Sequence, residues 1–573
     1  MEIPGYSQLT DAYYNFSPFE LVIFAVLALL LIGSSIGIIG NIQDRVSTTN
    51  PIYDGQYSEG IVGFPQYINP VLARTDADHD LTSLIYAGLT RLTTSGGTEL
   101  DLAKKMEMSS NGESYTFSLR EDIYFHDGEP ITADDVAYTI SLIQDPANNS
   151  PLQSDWNSVG IEVIDKKTIT FRLSQPFTSF PHTARIGILP KHIWENESSD
   201  SLPFSGFNTN PVGSGPYEVT NINRNNEGIP SQYTLTASDS YHNKPYIERI
   251  KLLFFSSMDK LRIAFNDGDI SAFYGVNPSE LGDLNSKKTS IVTKPFNRIF
   301  AVFYNQNNNE ALLSASVRRA LNLVIPRNKI VSNVLLGYGN PINKPLPVSG
   351  SNKLIETVSS STIADAEVVL EEAGWSLGNG VRTNDDGEVL SIELTTADIP
   401  ELQNTADSIA KNWESIGVSV TVNFIPLNKL SRDVVRPRNY EALLFGQVIN
   451  QNQDLYPFWH SSGQDDPGLN LAMYTNTNTD EALSNWRSAT SSDERAQLKK
   501  IIIDTIDEDQ PAGFVYNPDF IYILPQKIKN VNLPAITSPA DRFTQIDDWY
   551  INTEKLWNIF LRDNSEDAII MGR

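Results

Sequence analysis

The stretch from Ser114 to Ile143, SYTFSLREDIYFHDGEPITADDVAYTISLI, decides how this chain is read. Its first six residues alternate between polar and apolar side chains, a period of two that predicts a strand with one buried face. Thr132 precedes apolar residues at helical spacing, and Asp135 follows it by three positions, which together predict a capped helix. The stretch therefore predicts a strand, a turn at His126–Gly128 and a helix. The predicted buried face of the strand consists of Tyr115, Phe117 and Leu119.

The composition narrows the classes of function. The chain has 573 residues, enough for several domains, and a formal net charge of -27. A chain this acidic is repelled by nucleic acid and by anionic membrane surfaces, so neither is expected as a partner. The sequence has no cysteine. This excludes disulfides, thiolate metal sites, a cysteine nucleophile and a lipidated N-terminal cysteine.

Residues 21–40 form an uncharged run, LVIFAVLALLLIGSSIGIIG. Twenty such residues match the length of a helix that crosses a bilayer. A cleaved signal peptide is the alternative, but the run exceeds a usual signal core and no basic segment precedes it. We therefore predict an N-terminal tail over residues 1–20, a transmembrane anchor over 21–40 and a linker over 41–58. The flanking charges do not determine the orientation of the anchor.

The sequence YTFSLR followed by FHDGEPITADDV resembles the signature of the family 5 extracellular solute-binding proteins. These are the peptide-, nickel- and oligosaccharide-binding receptors of ABC importers. Further segments resemble the same family between about Glu59 and Tyr522. They are Ile188–Trp194 (ILPKHIW), Pro211–Tyr217 (PVGSGPY), Val317–Asn322 (VRRALN) and Asp365–Gly374 (DAEVVLEEAG).

The resemblance implies a two-lobed α/β fold like that of periplasmic binding proteins, type II, of the large peptide-binding class with an extra subdomain. We expect lobe I to comprise residues 59–85, 205–295 and 515–573, together with its extra subdomain of residues 86–204, and lobe II to comprise residues 296–514. The chain is expected to cross between the lobes near Lys294–Arg298 and near Ala512–Asn517. Within lobe II, a strand over 390–395, a helix over 400–416 and a strand over 418–424 predict a parallel pair. After Asn530 the apolar residues Trp549, Leu556, Trp557 and Phe560 predict a closing helix.

Several short sequence patterns resemble metal or phosphate sites, but the neighbouring residues that such sites require are absent from the sequence. Asp76, Asp78 and Asp80 have calcium-loop spacing, but Leu81 replaces the required glycine and Ala87 the bidentate glutamate, so the cluster fits an acidic helix N-terminus better. Ser214 lies between two glycines without the lysine of a phosphate loop, and a structural turn is expected. The six histidines never show the spacing of a zinc helix. We therefore predict no enzymatic activity, no cofactor and no metal site.

The resemblance implies that a peptide lies extended between the lobes, held by strand-like main-chain hydrogen bonds. An acidic residue near a DYPDP segment would pair with the peptide's ammonium group. The matching region, Leu444–Ser461, reads LFGQVINQNQDLYPFWHS and departs from that pattern, since Gln451 and Asn452 occupy its first positions. Asp454 is the nearest carboxylate. The predicted ligand-binding residues are Asn452, Asp454, Tyr456 and Trp459.

An alternative interpretation of this region is purely structural. Asp454 would then cap a turn, as aspartates in loops often do. Tyr456, Phe458 and Trp459 would pack the second lobe instead of lining the cleft.

The resulting prediction is a monomeric, membrane-anchored receptor on the extracytoplasmic side, periplasmic or at the cell surface. It would capture peptides, with oligopeptides as the expected class, and deliver them to the permease subunits of an ABC importer. The alternatives are a surface receptor or sensor that binds without transport, and a receptor for an oligosaccharide or a nickel chelate. An extracellular hydrolase would need a convergent catalytic constellation, which the sequence does not show. The fold alone does not select among these ligands.

Overall fold

The computed structural model describes residues 17–284, 288–347, 360–450 and 453–557. The chain divides into two compact units, one formed by residues up to Asp54 together with those from Tyr550 onward, the other by Gly55–Trp549.

The strands are numbered in chain order. They are β1 Ser47–Pro51, β2 Gln56–Val62, β3 Thr90–Leu92, β4 Thr98–Leu100, β5 Ala103–Met108, β6 Ser114–Leu119, β7 Val159–Asp165, β8 Thr168–Leu173, β9 Tyr217–Arg224, β10 Pro230–Ala237, β11 Arg249–Phe255, β12 Ala272–Tyr274, β13 Thr289–Pro295, β14 Arg298–Tyr304, β15 Gly339–Pro341, β16 Ser376–Gly378, β17 Val381–Thr383, β18 Ser391–Ala397, β19 Ser419–Ile425, β20 Ala442–Val448, β21 Ala512–Pro525 and β22 Thr553–Trp557.

The α-helices are numbered in the same way. They are α1 Pro18–Val46, α2 Asp76–Ile85, α3 Ala133–Gln144, α4 Gln153–Trp156, α5 Phe180–Thr183, α6 Lys191–Trp194, α7 Met258–Asp267, α8 Ala315–Leu323, α9 Arg327–Asn333, α10 Ser360–Glu372, α11 Pro400–Ser415, α12 Leu427–Leu430, α13 Tyr456–Trp459, α14 Thr477–Ser488 and α15 Ser492–Asp509.

The strand-turn-helix unit predicted from Ser114–Ile143 is confirmed. In β6 the side chains of Tyr115, Phe117 and Leu119 are buried while those between them are half-exposed. Asp135 accepts hydrogen bonds from the backbone N–H and the hydroxyl of Thr132 at 2.8 and 2.7 Å, which caps α3. The strand belongs to a four-stranded sheet of order β5-β6-β8-β7, and α3 packs on β7 and β8.

A twelve-stranded sheet organises the larger unit. Its main path runs β19-β18-β20-β14-β21-β12-β2-β11-β10-β9, and β13 and β15 also pair with β21. The strand β18, the helix α11 and the strand β19 form the predicted unit, and β18 and β19 are parallel as expected. The region predicted as strand-helix-strand is therefore confirmed.

The long strand β21 is the centre of this sheet. Its C-terminal half, from Asp519, pairs with β13, and its N-terminal half, up to Tyr516, pairs with β14. Between them, the side-chain amide of Asn517 donates to the carbonyl of Arg298 at 2.9 Å. The two crossings predicted near Lys294–Arg298 and Ala512–Asn517 thus lie side by side.

The smaller unit contains α1 and an antiparallel pair of β1 and β22. The helix predicted for the C-terminal tail is wrong for Leu556 and Trp557, because these residues pair with β1 as part of β22; Phe560 lies outside the described residues. The predicted linker over 41–58 is also corrected, since it contains the end of α1, all of β1 and the start of β2.

The transmembrane anchor predicted for residues 21–40 is not confirmed. In the part of the chain that the structure describes, no helix has the length and apolar character needed to cross a membrane. The side chains of residues 35–49 lie outside that part. They include those of residues 35–40, the end of the predicted anchor.

Candidate functional site

Asp454 lies in the loop between β20 and α13, and the residue is 4% exposed. One carboxylate oxygen accepts the backbone N–H of Tyr456 at 3.0 Å, the turn-capping contact that the alternative interpretation predicts. The other oxygen accepts the Nε and Nη2 groups of Arg487 at 2.8 and 2.7 Å. Arg487 belongs to α14, and no pattern in the sequence pointed to it. Asp454 is therefore both a turn cap and one half of an ion pair.

Tyr456 is joined to the same pair. The guanidinium of Arg487 lies over its ring, 3.9 Å from the centroid, and the ring of His460 stacks on it at 4.2 Å. Tyr456 remains half-buried. These contacts fix the guanidinium between a carboxylate and an aromatic face, so the loop after β20 is held to α14.

Trp459 lies in the hydrophobic core rather than at the cleft. Its side chain is fully buried, with ring centroids 5.8 Å from Phe514 and 6.2 Å from Tyr474. Phe458 is 5% exposed and belongs to the same core. A side chain with no accessible atoms cannot contact a ligand without repacking, so the structure corrects the prediction for Trp459. Asn452 and Gln451 lie outside the described residues.

A cavity of about 580 Å³ opens beside Asp454 and Arg487. Its walls come from distant parts of the chain, between Pro70 and Asp101, Leu152 and Gly187, Asn450 and Arg487, and Thr537 and Asp547. The charged side chains that line it are Arg91, Asp101, Asp155, Arg185, Asp454, Arg487, Asp541 and Asp547, and the aromatic ones are Tyr86, Trp156, Phe177, Tyr241 and Phe543. Such a mixture of aromatic faces and a few charged groups is typical of ligand cavities.

The charged residues on the far wall of this cavity are already paired. Arg91 donates to Asp547 at 2.6 Å and to Glu99 at 2.8 Å, and the hydroxyl of Tyr241 donates to Asp101 at 2.8 Å. Burial raises the pKa of Asp101 to about 6, against the opposing effect of Arg91 and the hydrogen bond from Tyr241. The charged groups Arg91, Asp101 and Asp547 on this wall are therefore all engaged in contacts within the folded chain.

His182 also lines the cavity. Burial lowers its pKa to about 4, and the neighbouring charges of Arg185 and Arg495 act in the same direction. Its Nδ1 atom is buried and has no hydrogen-bond partner among the described residues. The imidazole is therefore neutral at physiological pH.

Residues 98–468 match the family described as bacterial extracellular solute-binding proteins, family 5 Middle. The chain belongs to this family. The predicted family membership is thereby confirmed, and with it the expectation of a solute-binding protein.

A relative of this solute-binding protein matches almost its whole length. The oligopeptide-binding protein AppA of Bacillus subtilis is 26% identical over 552 residues, which cover 93% of this chain and 98% of AppA. The solved structure of AppA from Bacillus subtilis in complex with a nonapeptide superposes with a TM-score of 0.67 at 24% identity, over 88% of this chain and 100% of AppA. NikZ from Campylobacter jejuni in complex with Ni(L-His) gives a TM-score of 0.68 at 24% identity, over 86% and 99% of the two chains. These structures confirm the two-lobed α/β fold.

One contact in this solute-binding protein joins segments that were predicted to belong to different parts of it. Arg495 of α15, from predicted lobe II, donates to the hydroxyl of Thr178 at 2.8 Å and to that of Ser179 at 3.4 Å. Thr178 belongs to the predicted extra subdomain, and its neighbour Phe177 lines the cavity. The contact therefore links two segments beside the cavity.

The motifs set aside in the sequence have structural roles. Asp78 accepts the backbone N–H groups of Gln66 and Tyr67 at 2.7 and 2.8 Å and completes a capping box at the start of α2. Asp80 points elsewhere and pairs with Arg542 at 2.6 Å. At Gly213 a Cβ would lie 2.0 Å from the carbonyl oxygen of Ile85, so the glycine permits a close backbone approach.

Proposed function

We propose that this chain captures peptides between its two lobes outside the cytoplasm and delivers them to an ABC importer. The observation that carries the proposal is its similarity to the oligopeptide-binding protein AppA of Bacillus subtilis over 98% of that protein. A cavity with walls from both halves of the chain suits capture of a ligand by closure of two lobes.

The lobe boundaries remain those predicted from the sequence. Two features support them. A hydrophobic core cluster runs from Ile299 to Tyr516, close to the predicted lobe II of residues 296–514. The four-stranded sheet β5-β6-β8-β7 falls within the predicted extra subdomain of residues 86–204. We propose that the crossings at β13–β14 and in β21 act as the hinge.

Within the cleft we propose that Asp454, Asn452 and Tyr456 contact the ligand. The carboxylate of Asp454 already accepts a hydrogen bond from the guanidinium of Arg487. An ammonium group of the ligand that reached Asp454 would therefore share this carboxylate with Arg487. The main chain of the peptide would be held by strand-like hydrogen bonds, which do not select a side-chain sequence.

The test is ligand capture by the purified protein after its own ligand has been stripped by mild unfolding and refolding. The protein is mixed in turn with a tryptic digest of casein, with Ni(L-His) and with a maltodextrin mixture, and retained molecules are identified by native mass spectrometry. Retention of peptides alone is the expected result. Retention of the nickel chelate or of sugars without peptides would overturn the proposal.

A further inference from the structure

Arg298 begins β14, at the point where the chain crosses between the two halves of the sheet. Its guanidinium lies over the ring of Phe296, 4.8 Å from the centroid, and its side chain is half-buried. Among the described residues, no carboxylate forms an ion pair with it and no acceptor forms a hydrogen bond with its guanidinium. By contrast, the fully buried Arg542 has Glu59 and Asp80 as partners at 2.8 and 2.6 Å.

Aromatic side chains and one glycine surround Arg298 on the sheet. Phe300, two residues further along β14, faces Gly446 of β20 on one side and stacks on Tyr516 of β21 at 4.7 Å on the other. A Cβ atom at Gly446 would lie 2.9 Å from the Phe300 ring and 3.4 Å from the Cδ of Arg298. Because Gly446 has no side chain, the ring of Phe300 and the side chain of Arg298 can both lie across β20. We call Phe296, Arg298, Phe300 and Gly446 the crossing surface.

The charged side chain of the crossing surface is the guanidinium of Arg298. Burial lowers the pKa of Arg298, and the carboxylates of Asp76 and Glu401 oppose this from outside ion-pair distance. Glu401 is occupied by the hydroxyl of Tyr516, which it accepts at 2.7 Å. A guanidinium stays protonated in proteins, and a desolvated one without a partner is unfavourable. Its planar donors match a carboxylate in a two-point contact.

We propose that Arg298 binds a carboxylate of the peptide ligand, while Phe296 and Phe300 contact the apolar part beside it. This inference rests on the proposed function and specifies the ligand, because it requires an anionic group of the peptide at a fixed place beside the crossing between β13 and β14. The carboxylate can be the C-terminus of the peptide or the side chain of an aspartate or glutamate. Both sources have the same chemistry, and the experiment separates them.

The probe is the peptide that ligand-stripped wild type retains most strongly from the casein digest. It is synthesised in its natural form, with a C-terminal amide, and with each Asp or Glu replaced by Asn or Gln. Calorimetry compares wild type with Arg298→Gln and with Arg298→Lys. Lys288→Gln is the matched control, because it removes one positive charge from an exposed position that precedes β13 and lies outside the proposed crossing. Thermal melting verifies that each variant is folded.

For wild type, one of the two carboxylate removals should weaken binding by about 10- to 100-fold, the range for a charge-assisted hydrogen-bonded contact. In Arg298→Gln the same removal should change the affinity less than about threefold. Arg298→Lys should lie between, and Lys288→Gln should behave as wild type.

Two results would overturn the inference. One is that neither removal weakens binding to wild type, which can be measured even if the Arg298 variants do not fold. The other is that a removal weakens binding equally in wild type and in Arg298→Gln. Both leave the proposed function standing, whereas a wild type that retains no peptide would overturn the proposed function and this inference together.

Discussion

Arg487 binds the carboxylate of Asp454 at 2.7 Å while its guanidinium lies 3.9 Å from the centroid of the Tyr456 ring. Two residues predicted from the sequence to contact ligand are thus held by a third that was not predicted. Because the carboxylate is buried and paired before any ligand arrives, its orientation is fixed. An incoming ammonium group would have to share it with the guanidinium.

We expect Asp454→Asn to weaken binding of peptides with a free N-terminus by about 1–3 kcal/mol, the range for the loss of a hydrogen bond to a charged group. N-acetylated peptides should lose much less, because they carry no ammonium group. Calorimetry on both peptide forms, with both proteins, measures the difference. An equal loss for the two forms would show that Asp454 only positions Arg487 and Tyr456.

The contact between Arg495 and Thr178 bears on closure of the cleft. The two residues lie in different predicted lobes, so opening the cleft would separate them. We expect Thr178→Val to weaken peptide binding about fivefold, the effect of losing about 1 kcal/mol from the closed form. Thr178→Ser keeps the hydroxyl and is the control.

Small-angle scattering provides the second measurement of closure. Wild type and Thr178→Ser should contract on adding peptide, and Thr178→Val should contract at a higher peptide concentration. An unchanged affinity and an unchanged contraction for Thr178→Val would exclude this contact from the closing motion.

His182 predicts a dependence of stability on pH. Its pKa falls from an ordinary value near 6.5 to about 4 in the folded chain. The unfolded chain therefore binds the proton first, and the contribution of His182 to stability, complete above pH 6.5, is lost as the pH falls toward 4. Since the side chain is partly exposed, we expect this loss to be about 1–2 kcal/mol.

His182→Gln should remove that part of the pH dependence. Urea unfolding at pH 8 gives the loss due to the substitution itself, because the imidazole is neutral there in both states. The stability difference between variant and wild type should then shrink from pH 7 to pH 4.5. A difference that stays constant over this range would contradict the assignment of a half-buried, neutral His182.

Phe117 tests the core of the four-stranded sheet. The ring is fully buried and meets Phe171 edge to face at 5.9 Å. We expect Phe117→Ala to lower the free energy of unfolding by about 3–5 kcal/mol, through lost burial and the cavity left behind. Ser118→Ala, on the other face of the same strand, should change it by less than about 0.5 kcal/mol. Similar losses of unfolding free energy for Phe117→Ala and Ser118→Ala would contradict the assignment of Phe117 to the buried face of β6.

Local patterns in the sequence determined those strands and helices that depend on side chains close to one another along the chain. The alternation along Ser114–Leu119 sets which side chains face the core, and Thr132 with Asp135 sets where α3 begins. The unit formed by β18, α11 and β19 followed in the same way from hydrophobic periodicity and a short connection. The family resemblance then supplied the two-lobed fold, because its motifs extend over most of the chain.

The tertiary structure alone decided the partners of the charged and aromatic residues. Asp454 was found from the sequence, but Arg487 lies 33 residues away, and Asp80 meets Arg542 across 462 residues. Trp459 is buried because β14 and β21 cover it, and Leu556 is in a strand because β1 is beside it. Periodicity records which face of an element is apolar, but it carries no information on which distant element covers that face. Whether an arginine is paired, as Arg487 is, or lacks an acceptor in the described chain, as Arg298 does, depends on that packing.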